Sequence, residues 1–419
     1  MKSRAGFFIA IRYLWGRARE GGRYLRGAAA GIAVSLIPII VTLIVADGMI
    51  RGIIDRYLEL GTGHLQVFNW LAPEELEDPA EKIRGFAGVR GLWPEQQSVG
   101  VLAGKGGKTG ATVRSVEPSF WESGGGYLKT LEGVSKPESE RDMVLGENLA
   151  SAVGAEVGDT VRLMTIRTNS DGLSIPRMTA FTVRGIVSSG YHELDALWCI
   201  ISWEGGRGIL SPELSSISLI VKIDDPYRKA DAAALSLYSA LGGGYSVYTW
   251  KALLRSQYSS YESTRQLLLF IMALVVIVAA VNVSSATSML AIERQRDIAV
   301  LKVTGASVRG VSGVFLWGGF LTGLSGAIIG ISLGLLIGNF INPLIHSLEA
   351  ILSFFSNLFR GGEVKILDPG FYLETIPIII DWFAVFLIGC FTVFCSVAAS
   401  WIPAQRAGKL KPMDLLRKY

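Results

Sequence analysis

Cysteine and histidine are scarce in this chain, with three of each among 419 residues. Cys390 and Cys395 lie in one apolar stretch and Cys199 lies far from both, so their spacing matches neither a disulfide framework nor a metal site. The three histidines are also widely separated, which argues against a histidine metal cluster. We therefore expect no metal site, and we expect these side chains to pack or to face solvent.

The sequence also lacks the motifs of common enzymes. Gly107-Lys108-Thr109 ends like a phosphate-binding loop, but that motif requires a glycine at the position of Leu102. His192, Glu193 and Asp195 are near neighbours on a turn, and such residues rarely converge into a catalytic trio. Nucleophile-elbow, zinc-protease and paired-carboxylate signatures are absent. The sequence predicts no catalysis and no ATP site on this chain, and we expect no nucleic-acid partner.

Charged residues are few as well, at 18% of the chain, whereas hydrophobic residues make up 50% and the mean hydropathy is +0.40. This composition is too apolar for an ordinary soluble protein. Four apolar blocks are each long enough to cross a bilayer, and they cover residues 27–46, 267–292, 311–341 and 382–402. We therefore predict a multi-pass integral membrane protein with four transmembrane helices.

Lysine and arginine are concentrated before the first block, between the second and third, and after the fourth. The loop between the third and fourth blocks is poorer in them. Because basic residues near the spans favour the cytoplasm, both termini and the second loop are predicted to be cytoplasmic. The fold class is an α-helical membrane protein with a large extracytoplasmic α+β domain between helices 1 and 2.

This topology divides the chain into nine segments. Residues 1–26 form an interfacial amphipathic helix, and amphipathic patterns beyond the first span and before the second predict a pair of stalks. The other predicted segments are transmembrane helix 1 with its stalk (27–60), the α+β domain (61–250), the second stalk with transmembrane helix 2 (251–292), a cytoplasmic helix (293–310), transmembrane helix 3 (311–341), an extracytoplasmic loop (342–376), transmembrane helix 4 (377–402) and a cytoplasmic tail (403–419).

The insert at 61–250 alternates strand-like and helix-like stretches with glycine-rich turns. The predicted helices cover 146–153 and 227–241, and 103–110 is predicted to be a hairpin tip. A division of this insert into two subdomains remains open. The predicted strands cover 64–68, 111–116, 160–165, 181–188, 198–202 and 217–223.

A charged segment, ERQRDIAVLKVTGAS at 293–307, separates the second and third spans. Its composition favours a short helix that ends near Gly305, with Ser307 capping the next helix. From periodicity alone a solvated positive-inside loop is the favoured interpretation. The segment resembles the coupling helix of the FtsX-like permease family, whose members dock it into a separate ATPase subunit. The resemblance implies ATPase-coupling roles for Glu293, Arg294, Arg296, Asp297, Ala299, Leu301, Lys302, Gly305 and Ala306.

Segments elsewhere are similar to the lipoprotein-releasing branch of this family. They include Gly61-Thr62-Gly63-His64-Leu65-Gln66-Val67, the unit around 145–161 and the run at 181–190. The resemblance implies a dimeric permease of the bacterial inner membrane that extracts lipoproteins. It implies as partners an ABC ATPase subunit that binds ATP and magnesium, a second permease, the lipoprotein substrate, the bilayer and a periplasmic carrier. The chain itself would carry no cofactor.

Other architectures of the same kind remain open. One is an efflux permease of the macrolide-exporter type, although such exporters often carry the ATPase on the same chain. Another is a signalling permease that regulates an extracytoplasmic hydrolase, although those members have shorter inserts. A membrane receptor without any ATPase is disfavoured by the charged segment at 293–307.

Two further groups of residues are candidates within the spans. Glycines recur at helical spacing in the third span, where they allow close helix packing against either the chain's own spans or a partner: Gly319, Gly323, Gly326, Gly330 and Gly334. Polar residues in the second span either bond to neighbouring helices or line a substrate cavity. The cavity hypothesis names Ile40, Ile44, Asn282 and Ser285.

Overall fold

The structure is a computed structural model, and it describes residues 8, 10–11, 22–69, 75–124, 127–168, 174–358 and 375–410. Most of the predicted interfacial helix and the tail after Leu410 lie outside these residues. The chain divides into two compact units. The membrane unit comprises 1–48, 261–354 and 376–419, and the α+β unit comprises 49–260 and 355–375.

The helices and strands alternate along the chain as follows. In order they are α1 (Gly22–Arg56, continued as a π-helical turn Tyr57–Gly61), β1 (Leu65–Asn69), α2 (Glu77–Arg84), β2 (Val89–Ala103), β3 (Lys108–Val116), α3 (Ser119–Gly124), β4 (Lys129–Gly133), β5 (Asp142–Gly146), α4 (Glu147–Val153), β6 (Thr160–Thr168), β7 (Ser174–Ser188), α5 (His192–Asp195), β8 (Trp198–Ser202), α6 (Trp203–Ile209), a 3₁₀ turn (Pro212–Leu214), β9 (Ser216–Ile223), α7 (Ala230–Leu241), β10 (Tyr245–Thr249), α8 (Trp250–Leu253), α9 (Arg255–Glu293), α10 (Gln295–Val303), α11 (Val308–Asn339), α12 (Ile341–Leu358) and α13 (Trp382–Lys409).

Four of the described helices are long and apolar enough to cross a membrane, namely α1 with its π turn, α9, α11 and α13. The helix α12 occupies part of the segment that the sequence analysis treated as a loop. The last span begins at Trp382, five residues after the predicted start, because Asp381 accepts hydrogen bonds from the backbone N–H groups of Phe383 and Ala384 and caps the helix. It then continues through Pro403 to Lys409.

Within the described residues the α+β unit contains one sheet of ten strands. Its order is β10-β1-β9-β2-β3-β8-β5-β7-β4, with β6 paired to β2 and β7. The pairs β3–β8 and β5–β7 are parallel, and the other pairs are antiparallel. Adjacent residues such as Val144 and Leu145 belong to different hydrophobic clusters, so the sheet has a core on each face.

Sequence analysis did not predict the longest central strand, β2, which pairs with β3, β6 and β9. Its sequence lacks apolar alternation because it contains Pro94 and two buried polar side chains, Glu95 and Gln96. The carboxylate of Glu95 is compensated by Arg114 of β3, whose Nε and Nη2 donate to it at 2.6 and 2.8 Å. Both side chains are fully buried, so this pair is a polar element of the core.

Glycines of α11 hold the membrane unit together. A Cβ on Gly330 would lie 2.8 Å from both the Ala33 carbonyl oxygen and the Leu36 Cβ of α1, and Gly326 and Gly334 meet α1 in the same way. Gly319 and Gly323 instead face α13, where the Ser396 hydroxyl donates to the Gly319 carbonyl at 2.8 Å. The glycine stripe therefore packs on two of the chain's own spans.

Three helices also meet at an ion-pair network, which lies near the end of the spans opposite α10. Arg265 of α9 lies 2.8 Å from a carboxylate oxygen of Asp47 on α1 and 2.6 Å from one of Asp381, the cap of α13. Charged groups at the end of a membrane helix are stabilised by such pairing. The network fixes the mutual register of α1, α9 and α13.

We expect Gly330→Ala to destabilise the membrane unit, because overpacking against a neighbouring backbone costs about 1–3 kcal/mol. Gly31→Ala is the matched control, since nothing lies within 4 Å of a Cβ there. Thermal unfolding of the purified full chain in detergent measures both. Equal melting temperatures for the two variants would contradict the packing of α11 on α1.

We expect Arg114→Gln to destabilise the α+β unit by about 3–5 kcal/mol, because it leaves the buried Glu95 carboxylate without its counter-charge. The exposed pair of Arg90 and Asp224 supplies the control, and Arg90→Gln is expected to cost less than about 1 kcal/mol. Denaturant unfolding followed by tryptophan fluorescence compares them. The double change Glu95→Gln with Arg114→Met should recover most of the loss if the buried charge is its cause.

Candidate coupling site

The charged segment between the second and third spans folds as a separate short helix. The helix α9 ends at Glu293, and Arg294 leaves the helical region with φ −95° and ψ 22° before α10 begins. After α10, Gly305 has a φ of 92°, a backbone conformation that favours glycine. The Ser307 hydroxyl then accepts a hydrogen bond from the N–H of Gly310 at 3.1 Å and caps α11.

One face of α10 is buried in the membrane unit. Ile298 is 1% exposed and joins a hydrophobic cluster with Leu25, Leu290 and Phe315, which come from three of the spans. Ala299 is also buried, at 2% exposed. Its methyl group is covered by the chain's own side chains and is not open to a partner, and its coupling role stays a prediction.

The remaining predicted coupling residues differ in their exposure. Glu293, Arg296 and Gly305 are exposed, whereas Arg294, Asp297, Leu301, Lys302 and Ala306 are half-buried. Arg294 and Asp297 lie 3.4 Å apart as an ion pair across the start of α10. The ammonium of Lys302 donates to the carbonyl of Leu410, the residue that follows α13. Lys302 thus ties α10 to the end of the last span.

Sequence analysis missed two valines on the outer face of α10. Val300 is 63% exposed and Val303 is 69% exposed. They follow Arg296 at spacings of four and seven residues, so the three side chains lie along one stripe of the helix. Exposed apolar residues beside charged ones are typical of a docking surface. Helical spacing in the sequence could have identified this stripe, which we call the α10 stripe (Arg296, Val300 and Val303).

The predicted substrate-cavity residues differ in their exposure. Ile40 and Ile44 are almost fully buried, in a cluster that includes Met272, and they pack over Gly334 and Gly338 of α11. In contrast, Asn282 and Ser285 are exposed on α9, where the Ser285 hydroxyl donates to the Val281 carbonyl at 3.2 Å. The isoleucines thus fill space between α1 and α11, whereas Asn282 and Ser285 face outward, and the cavity hypothesis stays a prediction.

Titratable groups of the α+β unit have structural partners. Asp195 accepts from the Ser188 hydroxyl at 2.9 Å and the Ser189 N–H at 2.7 Å, and burial raises its pKa. The Tyr191 hydroxyl donates to Glu193 at 2.8 Å. Burial raises the pKa of the Cys199 thiol to about 12, so it is protonated at neutral pH. Among the described residues, no three His, Cys, Asp or Glu side chains are grouped to hold a metal ion.

A second exposed apolar surface lies on the β6–β7 hairpin of the α+β unit. Met164 pairs with Met178 and Ile166 with Pro176 across the two strands, and all four residues are exposed. The adjacent residues Leu163 and Thr165 are buried on the other face. Beyond Met164 the hairpin strands pair with each other and not with β2. We call these four residues the hairpin patch. Sequence analysis missed it because only the register places these residues side by side.

Two family models match the chain. A model described as FtsX-like permease C-terminal matches residues 269–412, which include α10, and a model described as MacB-like periplasmic core domain matches residues 27–235. The matched regions include most of each of the four apolar helices and most of the sheet.

Curated relatives match over almost their whole length. The lipoprotein-releasing system transmembrane protein LolC of Neisseria meningitidis serogroup B is 27% identical over 98% of each chain. LolC of Xylella fastidiosa is 28% identical over 98% of each chain. LolE of Haemophilus influenzae is 24% identical over 99% of each chain. The chain therefore contains an FtsX-like permease domain and a MacB-like periplasmic core domain.

Proposed function

We propose that this chain is the permease subunit of an ATP-driven transporter that extracts lipoproteins from the bacterial inner membrane. The observation that carries the proposal is the full-length similarity to transmembrane proteins of lipoprotein-releasing systems. Removing acyl chains from a bilayer costs about 0.8 kcal/mol for each buried CH₂ group, so extraction requires an external energy source. Because the sequence contains no phosphate-binding loop, we assign ATP and magnesium to a partner ATPase subunit.

In this proposal the ATPase docks on the α10 stripe. Its valines would enter an apolar pocket of the ATPase, and the exposed Glu293 and Arg296 would form ion pairs at the rim. The buried side chain of Ile298 and the bond from Lys302 to Leu410 would pass a displacement of α10 to the spans. A second permease, of the same or a related sequence, would complete the transporter.

The helices α1 and α9 are the proposed route for movement toward the α+β unit, because each has residues in both units. Within the α+β unit the end of α1 is tied to the sheet domain, since Arg56 donates to the Ser189 carbonyl at 2.9 Å and Tyr57 contacts the ring of Tyr191. Trp250 contacts the ring of Tyr258 at the start of α9. In the proposed topology the α+β unit is periplasmic and α10 is cytoplasmic.

The hairpin patch is the proposed docking surface for a periplasmic carrier. A carrier that receives a lipoprotein must present an apolar surface for the acyl chains, and a flexible pair of methionines adapts to such a surface. The patch consists of Met164, Ile166, Pro176 and Met178.

An efflux permease of the macrolide-exporter type is the second candidate, favoured by the match of residues 27–235 to a MacB-like domain. A signalling permease is the third. Release of a labelled lipoprotein from vesicles that contain the chain, its ATPase and a second permease distinguishes them. ATP-dependent release supports the first proposal, and ATP hydrolysis without release rejects it.

Replacing the α10 stripe should uncouple the ATPase. We expect Arg296→Glu with Val300→Asp to reduce ATPase co-purification and lipoprotein release at least about tenfold, since loss of a hot-spot residue of an interface costs about 2 kcal/mol or more. Arg255→Glu, an exposed position at the other end of α9, is the control and should change neither measurement. Full ATPase binding by the double variant would contradict docking at α10.

The hairpin patch should act after ATP hydrolysis. We expect Met164→Ser with Met178→Ser to lower transfer to the carrier about tenfold, because it removes two adjacent apolar anchors. The ATPase rate and ATPase co-purification should stay unchanged. The control variant, Leu214→Ser with Leu235→Ser, removes two exposed apolar side chains elsewhere in the same unit. It should transfer lipoprotein to the carrier like the wild type. Equal transfer by both double variants would assign the carrier to another surface.

A further inference from the structure

A groove of about 410 Å³ lies between α11 and α13, at the end of the spans that carries α10. Its volume is within the range of ligand sites, about 300–1,000 Å³. The two helices touch beside it, since a Cβ on Gly408 would lie 2.8 Å from the Val308 carbonyl oxygen. Gly313 of α11 lines the groove, and nothing lies within 4 Å of a Cβ there. The groove is therefore an opening between two helices that are otherwise in close contact.

The rim of the groove is basic. Arg309 of α11 and Lys409 of α13 both line it and are exposed. None of its nine lining residues is acidic. In the part of the chain that the structure describes, neither cation has an ion-pair partner. Gln405 adds an amide that can donate hydrogen bonds. The rim thus offers two positive charges and an amide donor to an anion.

The wall of the groove is apolar. Leu316 and the ring of Trp401 line it, and Trp401 is 54% exposed. Tryptophan side chains are enriched where hydrocarbon meets headgroups, and basic pockets between membrane helices bind anionic headgroups. A basic rim above an apolar wall matches a molecule with an anionic head and a hydrocarbon tail. A free phosphate ion fits this groove less well, because it would leave the apolar wall without an apolar partner.

We propose that this groove binds an anionic phospholipid such as phosphatidylglycerol. The phosphate lies between Arg309 and Lys409, and the upper part of one acyl chain lies along Leu316 and Trp401 over Gly313. Lys409 directly precedes Leu410, whose carbonyl accepts the hydrogen bond from Lys302 of α10. A bound lipid therefore holds together the helix ends on which α10 rests.

Native mass spectrometry of the purified full chain tests the charge requirement. The protein is released from detergent in the presence of phosphatidylglycerol or phosphatidylcholine. We expect the wild-type chain to retain phosphatidylglycerol about tenfold better, and Arg309→Gln with Lys409→Gln to abolish this preference. Arg23→Gln with Arg406→Gln is the matched control, since both are exposed basic residues that do not line the groove. It should retain phosphatidylglycerol like the wild type.

A steric variant tests the location independently of charge. Gly313→Leu fills the groove without meeting protein atoms at its Cβ, so the fold should persist while phosphatidylglycerol retention falls. Gly31→Leu on α1 is its control. Retention equal to the wild type in both Arg309→Gln with Lys409→Gln and Gly313→Leu overturns the proposal. Equal retention of phosphatidylcholine, or displacement of the lipid by millimolar inorganic phosphate, overturns it as well.

Discussion

Close approach of helix backbones at the glycines of α11 is the constraint on which the membrane unit depends. Lipid tails are as apolar as the side chains of the spans, so burial of apolar area does not drive helices together in a bilayer. Close packing of helix backbones drives their association instead. Gly326, Gly330 and Gly334 allow α1 to pack closely on α11. Gly319 and Gly323 allow α13 to pack on an adjacent face of α11. The third span is thus the centre of the unit.

The position of α10 follows from that packing. Its buried residue Ile298 contacts a cluster formed by side chains of several spans, and Lys302 bonds to the residue after α13. A short helix of nine residues would be marginal in water, so tertiary contacts stabilise it. The consequence is a surface helix that cannot move without the spans. This property suits a site that receives a displacement from another subunit.

The fold was predictable to the extent that it depends on local pattern. Long apolar runs identified the four spans, and β8 was predicted over its full range as a short run of apolar residues ending at a polar one. The strand β2 was not predicted, because Glu95 and Gln96 interrupt its apolar pattern. Its stability comes from Arg114 on another strand and from three neighbouring strands. No window of β2 alone contains that information.

The sequence by itself determined the four apolar spans, the charged segment between two of them and the resemblance to FtsX-like permeases, because length, composition and motif are local properties. Only the tertiary structure decided which side chains a partner can reach. It buried Ala299 and Ile40, exposed Val300, Val303 and Asn282, and placed Met164 beside Met178. Periodicity defines the faces of a helix or strand, but the neighbour on each face is fixed by contacts between residues distant in the chain.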